Sequence, residues 1–328
     1  MEDSIICTED LCKEYIVRNY DVKGFDRFTK KGKKTVNALK NLNIEIKPGE
    51  VVGLIGANGA GKSTTIKLLT GILNPTSGKV LTLGKDPARH RRENADKIGI
   101  MMGQRSQLWW DLPAMDSFKL YGKMYGVSKS EFEKRIARFD EILDIEPFIS
   151  RPVRQLSLGQ RMRCEMIAAL IHSPELVFLD EPTIGIDVLA KERILNFIST
   201  LNRDFGTTVI LTTHDIADMG KIAEHIIIVD KGSVAYDGSK DKLLQFNRFD
   251  RVTFVFATPP DREKIETKYP SCWFENECKV VFTNDNSVMS TSDFITQIMS
   301  NYKILDISLS KTDIETVVKK IYADNEGR

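Results

Sequence analysis

The chain has few cysteines: five in 328 residues, at positions 7, 12, 164, 272 and 278. Their number is odd and their spacing fits no metal-ligand pattern. That argues against a disulfide scaffold and for free thiols in a reducing compartment. Net charge is nearly absent. Lys plus Arg is 47 against 46 for Asp plus Glu, so a globally basic nucleic-acid binder is not indicated. Long apolar runs are missing too. The most apolar stretch, Ile226-Ile227-Ile228-Val229, is far below the roughly 18–20 residues that span a bilayer. The opening MEDSIICTED lacks the charged-then-apolar order of a signal peptide. Folding in the cytoplasm is expected, and any membrane role must come through a partner. There are no internal repeats and no low-complexity tract. Hydrophobic residues at 41% and charged residues at 28% exclude a mostly disordered or collagen-like chain. At roughly 150 residues per domain, the length fits two domains.

What is present reads as strands alternating with helices. Strand-like segments lie at Ile5-Ile6-Cys7, Asn43 to Ile46, Val51 to Ile55, Ile98 to Met102, Leu176 to Leu179, Val209 to Thr212 and Ile226 to Val229. Several are continuous apolar runs, the pattern of a buried parallel strand. Helical patterns cover Ser63 to Leu69, residues 114–148 with a break at Gly126-Val127-Ser128, and the stretch after Leu158-Gly159. The sum is an α/β fold with a largely parallel sheet. Residues 18–37 are polar and basic: Arg18, Lys23, Arg27, Lys30, Lys31, Lys33 and Lys34 face only Asp21 and Asp26. They read as a long loop or hairpin extension. It is either solvated or a contact for anionic lipid headgroups or a membrane partner. Composition shifts near residue 245. From there strands at 251–256, 279–283 and 304–309 alternate with helices at 262–268, 292–300 and 314–322, a small α+β unit. Its Trp273, Phe274 and Phe282 are expected in the core.

Gly56-Ala57-Asn58-Gly59-Ala60-Gly61-Lys62-Ser63 matches G-x-x-x-x-G-K-[ST] between a strand and a helix. The glycines allow a tight wrap that turns backbone N–H groups toward phosphate oxygens, and the helix N-terminus adds partial positive charge. Lys62 supplies a point charge to the β/γ phosphates and Ser63 a hydroxyl for Mg²⁺. At the C-terminal end of the strand Leu176 to Leu179 stand Asp180 and Glu181, where open α/β sheets bind ligands. Asp180 suits Mg²⁺, and Glu181 suits a general base for water. Three weaker features fall in order around these. Gln104 follows the strand 98–102, Ser157 opens a helix in N-cap style with a free dipole, and His214 follows the strand 209–213.

Together these motifs resemble the ATP-binding subunits of ABC transporters, over about residues 4–245. The resemblance implies a P-loop NTPase of ABC type: a parallel-sheet core, an antiparallel β subdomain and a helical signature subdomain at about 105–165. Residues 1–245 would be the ATP-binding domain and 246–328 a C-terminal accessory domain for dimerisation or regulation. By the same resemblance Gly56, Asn58, Gly59, Ala60, Gly61, Lys62, Ser63 and Thr64 bind ATP, and Tyr15 stacks on adenine. Gln104 senses Mg²⁺ and the attacking water, beside Ser63 and Asp180. Glu181 is the base, His214 contacts the γ-phosphate, and Asp187 is the D-loop carboxylate. Ser157, Leu158, Gly159 and Gln160 form the signature that meets ATP on the opposite subunit. It reads LSLGQ where LSGGQ is usual.

MGQRSQLWWDLPAMDSF and RQLSLGQRMRCE resemble exporter subunits of the daunorubicin-, bacitracin- and viologen-type branch. That likeness implies separate membrane permeases, of one or two kinds, at the cytoplasmic face of the cell membrane. It also implies a head-to-tail dimer around two ATP with Mg²⁺, formed with a second copy or a sister subunit, and no nucleic acid. Residues 104–125 would form the permease dock. There Trp109 and Trp110 either both pack inward or at least one lines a groove for a permease helix. The competing reading is a soluble ABC ATPase serving as an assembly scaffold.

Overall fold

A long antiparallel ribbon opens the chain. Strand β1 (Ile6–Arg18) pairs with β2 (Lys33–Leu42) from Leu11↔Leu42 out to Arg18↔Lys33. This is a computed structural model, and it describes residues 4–18, 33–102, 106–213, 215–245, 249–285, 288–310 and 314–326. The described ends of the basic segment, Arg18 and Lys33 to Asn37, belong to this ribbon. Residues 19–32 lie outside the described residues, as do Gln104 and His214. The chain divides into two compact units, Met1–Gly238 and Ser239–Arg328.

In the first unit, β1 also pairs antiparallel with β3 (Glu45–Ile46) and, after β4 (Val51–Ile55) and α1 (Lys62–Leu69), with β5 (Ser77–Thr82). Next come α2 (Arg91–Ala95), β6 (Ile98–Met102), and the helices α3 (Ala114–Met124), α4 (Lys129–Leu143) and α5 (Leu158–Leu170). Then follow β7 (Leu176–Asp180), α6 (Val188–Phe205), β8 (Thr208–Thr212), α7 (Ile216–Ile222), β9 (His225–Asp230) and β10 (Ser233–Ser239). The second sheet runs β10-β9-β4-β8-β7-β6. Its β9-β4-β8-β7-β6 neighbours are parallel. All five residues of β4 and of β8 are buried, as the uninterrupted apolar runs require of strands covered on both faces. Among the described residues no helix is long and apolar enough to cross a membrane.

The second unit adds α8 (Lys240–Gln245), β11 (Phe249–Phe256), α9 (Arg262–Lys268), β12 (Cys272–Phe274), β13 (Lys279–Asp285), α10 (Thr291–Asn301), β14 (Ile304–Ser310) and α11 (Ile314–Glu326). Its antiparallel sheet runs β12-β13-β11-β14, the split βαβ arrangement of a ferredoxin-like fold. Phe254, Phe282, Phe294 and Tyr269 meet edge to face in its core, the preferred aromatic geometry. Trp273 departs from expectation. It is 43% exposed, and the Arg251 guanidinium lies 5.6 Å from its ring. Its neighbour Cys272 pairs with buried Phe282, so the pleat turns Trp273 to the opposite face.

At the other end of β4 from the phosphate loop, His225 sits between two carboxylates. Nδ1 is 2.9 Å from Glu50 and Nε2 is 2.6 Å from Asp237. Burial opposes its charge, but Asp237 and Glu50 outweigh that and raise its pKa above the ordinary 6.5. A pKa raised on folding contributes stability in full below the unfolded value and loses it as pH rises through the folded one. His225→Gln is therefore expected to flatten the fall in stability above about pH 6.5. Denaturant midpoints measured across that range for both proteins check it.

Candidate functional site

The end of β4 runs straight into the glycine-rich loop. Gly61 caps α1 at φ 116°, backbone that only glycine adopts readily. A Cβ there would also stand 2.6 Å from Leu39 Cδ2 and 2.9 Å from the Ala38 carbonyl. The loop is tied elsewhere as well. Gly232, between β9 and β10, donates its N–H to Ala60 (3.0 Å) and accepts from Lys40 (2.8 Å). The β1–β2 ribbon thus borders the loop, and Tyr15 stands on it opposite Val36. Its half-buried ring lies 5.5 Å from the Lys13 ammonium.

Helix α1 opens with no side-chain cap and no acidic residue in its first turn. Its first N–H groups and partial positive charge therefore remain for an anion. Lys62 is only 6% exposed, and its Nζ donates to the carbonyls of Gly56 (2.6 Å) and Ala57 (3.2 Å). Burial lowers its pKa, and the nearby carboxylates of Glu181 and Asp180 act against that. Ser63 is exposed and Thr64 half-buried, while Asn58 and Gly59 are exposed and Ala60 is buried.

Asp180 joins the two halves. Its Oδ2 accepts from Ser63 Oγ at 3.3 Å and its Oδ1 from Thr212 Oγ1 at 2.7 Å. Thr212 went unread in the sequence, although a polar residue closing an apolar strand was its signal. Glu181 has φ 55°, a left-handed backbone costing about 1 kcal/mol or more in a non-glycine residue. Its N–H donates to both the carbonyl (3.1 Å) and the hydroxyl (3.0 Å) of Thr212, which holds it there. A hydroxyl and a carboxylate this close suit a hard divalent cation that takes its remaining oxygens from water and phosphate, as Mg²⁺ does. Among the described residues there is no group of three His, Cys, Asp or Glu that could hold a metal ion.

In the signature segment Ser157 caps α5, as its place before the helix suggested, and the cap is reciprocal. Ser157 Oγ accepts from Gln160 N–H (3.2 Å) and Gln160 Oε1 accepts from Ser157 N–H (2.9 Å), a complete capping box. Ser157 and Leu158 are exposed, whereas Gly159 is buried. A Cβ on Gly159 would lie 3.0 Å from Ala190 Cβ and 3.7 Å from Asp187 Oδ2. Its small size thus serves the packing of α5 against the start of α6. Asp187 caps α6 by accepting from Ala190 N–H at 2.9 Å. One turn on, Lys191 pairs with Asp215 and Asp218 of the segment that follows residue 214.

A concavity of about 370 Å³ lies beside this site, lined by Ile72, Asn94, Ile100, Gln107, Tyr121 and His172 among others. His172 stacks on Tyr125 with ring centroids 4.0 Å apart, and burial lowers its pKa. Trp109 and Trp110 are both half-exposed and do not line this groove. The Trp110 carbonyl is held by the Arg154 N–H at 3.0 Å, and its ring lies 5.7 Å from the Arg161 guanidinium.

A sequence profile of the ABC transporter family matches residues 39–184. The linearmycin resistance ATP-binding protein LnrL of Bacillus subtilis is 36% identical over 65% of this chain and 67% of its own length. The energy-coupling factor transporter ATP-binding protein EcfA2 of Clostridium perfringens is 34% identical over 61% of this chain and 72% of its own. The dimeric post-hydrolysis structure of the ATP-binding cassette MJ0796, bound to ADP and Pi, superposes with a TM-score of 0.58 at 27% identity. That match covers 71% of this chain and 98% of the cassette.

Gly61→Ala should destabilise the fold by about 1–3 kcal/mol, because strain and the clash with Leu39 and Ala38 act together. At Gly59 nothing lies within 4 Å of an added Cβ, so Gly59→Ala should cost only the backbone strain, about 1 kcal/mol. Denaturant unfolding of both variants tests the ordering.

Proposed function

The chain belongs to the ATP-binding proteins of ABC transporters and is an ATP hydrolase, and from that premise we propose that it drives an export system. The convergence of Lys62, Ser63, Asp180 and Glu181 at the ends of β4 and β7 supports the nucleotide chemistry of this reading, and its export direction rests on sequence likeness. Residues 1–245 act as the ATP-binding domain and 246–328 as an accessory domain. Backbone N–H groups of Gly56 to Gly61, with Lys62, Ser63 and Thr64, hold the phosphates, and Tyr15 holds the base. Ser63, Asp180 and Gln104 hold Mg²⁺, which neutralises charge on the β/γ phosphates when bound. Glu181 takes a proton from the attacking water, and His214 contacts the γ-phosphate.

Two copies, or this chain and a sister subunit, close head to tail around two ATP. Supporting this, Ser157 is exposed at the tip of α5, and Val188 and Leu189, next to Asp187, are 77% and 72% exposed. Ser157 Oγ already accepts from Gln160, and its hydroxyl proton is left to donate to phosphate. The groove beside Gln107 and Tyr121 receives a cytoplasmic helix of the permease, which places the chain at the inner face of the membrane. Export follows from the likeness of the 102–118 and 154–165 segments to drug-efflux subunits and agrees with the name of LnrL. EcfA2, named for an energy-coupling factor, marks direction as the point to test.

Glu181→Gln should lower kcat about 10²–10³-fold while ATP binding persists, and it should give an ATP-dependent dimer on gel filtration. Pulled down from native membranes with ATP, the variant should bring polytopic proteins with it. Recovery of soluble partners alone would overturn the permease reading in favour of a scaffold ATPase.

A further inference from the structure

Glu165 stands inside the apolar run of α5, two turns beyond Ser157. It is 4% exposed, and carboxylates are seldom buried so deeply unless they are bonded. Its partners belong to one short segment of another element. Oε1 accepts from the Ser106 hydroxyl, and Oε2 accepts from Gln107 N–H at 3.0 Å. The same segment is pinned from its other side, where Gln107 Nε2 donates to the Ile100 carbonyl and the Tyr121 hydroxyl to the Gln107 carbonyl. Ser106 and Gln107 are among the polar lining of the groove, and Ala168 and Ala169 of α5 are among its apolar lining. Burial raises the carboxyl pKa, and the two donors act against it.

We propose that Glu165 is a positioning residue for hydrolysis, a buried clamp that makes the groove wall at Ser106–Gln107 and the Ser157 tip of α5 move as one body. The inference rests on the ATPase reading and deepens it, since it names how occupancy of the groove reaches the signature. Glu165 is buried behind Ser106 and Gln107 and acts through them. It works by fixing the chain that leads out of Gln104, two residues before Ser106, to the helix that presents Ser157. A dry carboxylate with two donors resists sliding, because parting from either leaves a buried polar group unpaired.

The test uses the full chain. Glu165→Ala should lower kcat for MgATP about tenfold or more while the Kd for MgATP stays within about twofold. Glu165→Gln keeps an acceptor for Gln107 and should stay within about threefold of wild type. If the alanine variant does not fold, Ser106→Ala, which removes one donor, replaces it and should lower kcat by about threefold. Hydrogen exchange gives a second readout that needs no catalysis. The Gln107 amide should lose protection in the alanine variant while amides of α1 keep theirs. Unchanged kcat with unchanged exchange at Gln107 would overturn the clamp, as would loss of kcat matched by an equal loss of MgATP affinity. A wild-type chain without ATPase activity would instead sink the functional reading, and the exchange arm would still judge the clamp.

Discussion

Thr212 pairs with Leu54 on one side and with Asp180 on the other, and that register carries the site. It brings the end of the phosphate-loop strand level with the end of the carboxylate strand. Within it the Thr212 hydroxyl orients Asp180, and the Thr212 carbonyl and hydroxyl fix the Glu181 backbone. A slip of one residue would turn every side chain of β8 to the opposite face. All five residues of β8 are buried on one face or the other, so burial alone does not select the register, and the Thr212 bonds to Asp180 and Glu181 mark it.

The local parts of this arrangement are legible in the sequence because each is contiguous. Gly56 to Ser63 announces its loop through glycine spacing, Asp180 and Glu181 end an apolar strand, and Ser157 announces a helix start. The 18-residue helix α6 was also within reach, from the spacing of Ala190, Ile194, Leu195, Ile198 and Leu201. What escapes is whatever depends on packing between distant segments. Glu165 reads as one charge on a helix until α5 is laid beside residues 106–107. Thr212 gains its role only across the sheet. Gly159 looks like a phosphate contact, and the close approach of Ala190 gives it another reason to be small. The S-x-x-Q spacing of Ser157 and Gln160 encodes a capping box, so the reciprocal cap was readable as well.

The second unit shows the opposite balance. Its alternation of strands and helices is plain in sequence, yet its strand order is not, because β12 is only three residues long. Trp273 shows the same limit: aromatic content identifies a core but not the face of a strand. Three phenylalanines and Tyr269 fill the inner face, leaving the tryptophan outside beneath Arg251.

The β1–β2 ribbon separates two kinds of sequence. At its base, Ala38, Leu39 and Lys40 touch Gly61 and Gly232, so chemistry there is constrained atom by atom. At its far end Arg18 and Lys33 face each other as a pair, and whatever chain joins them leaves and returns at the same place. The ribbon is a handle: each residue pair between Leu39 and that end carries the departing chain about 3.3 Å further from the phosphate loop. A change at Ile16 to Arg18 or Lys33 to Thr35 therefore reaches the phosphate loop through the ladder between them, as leverage and not as contact.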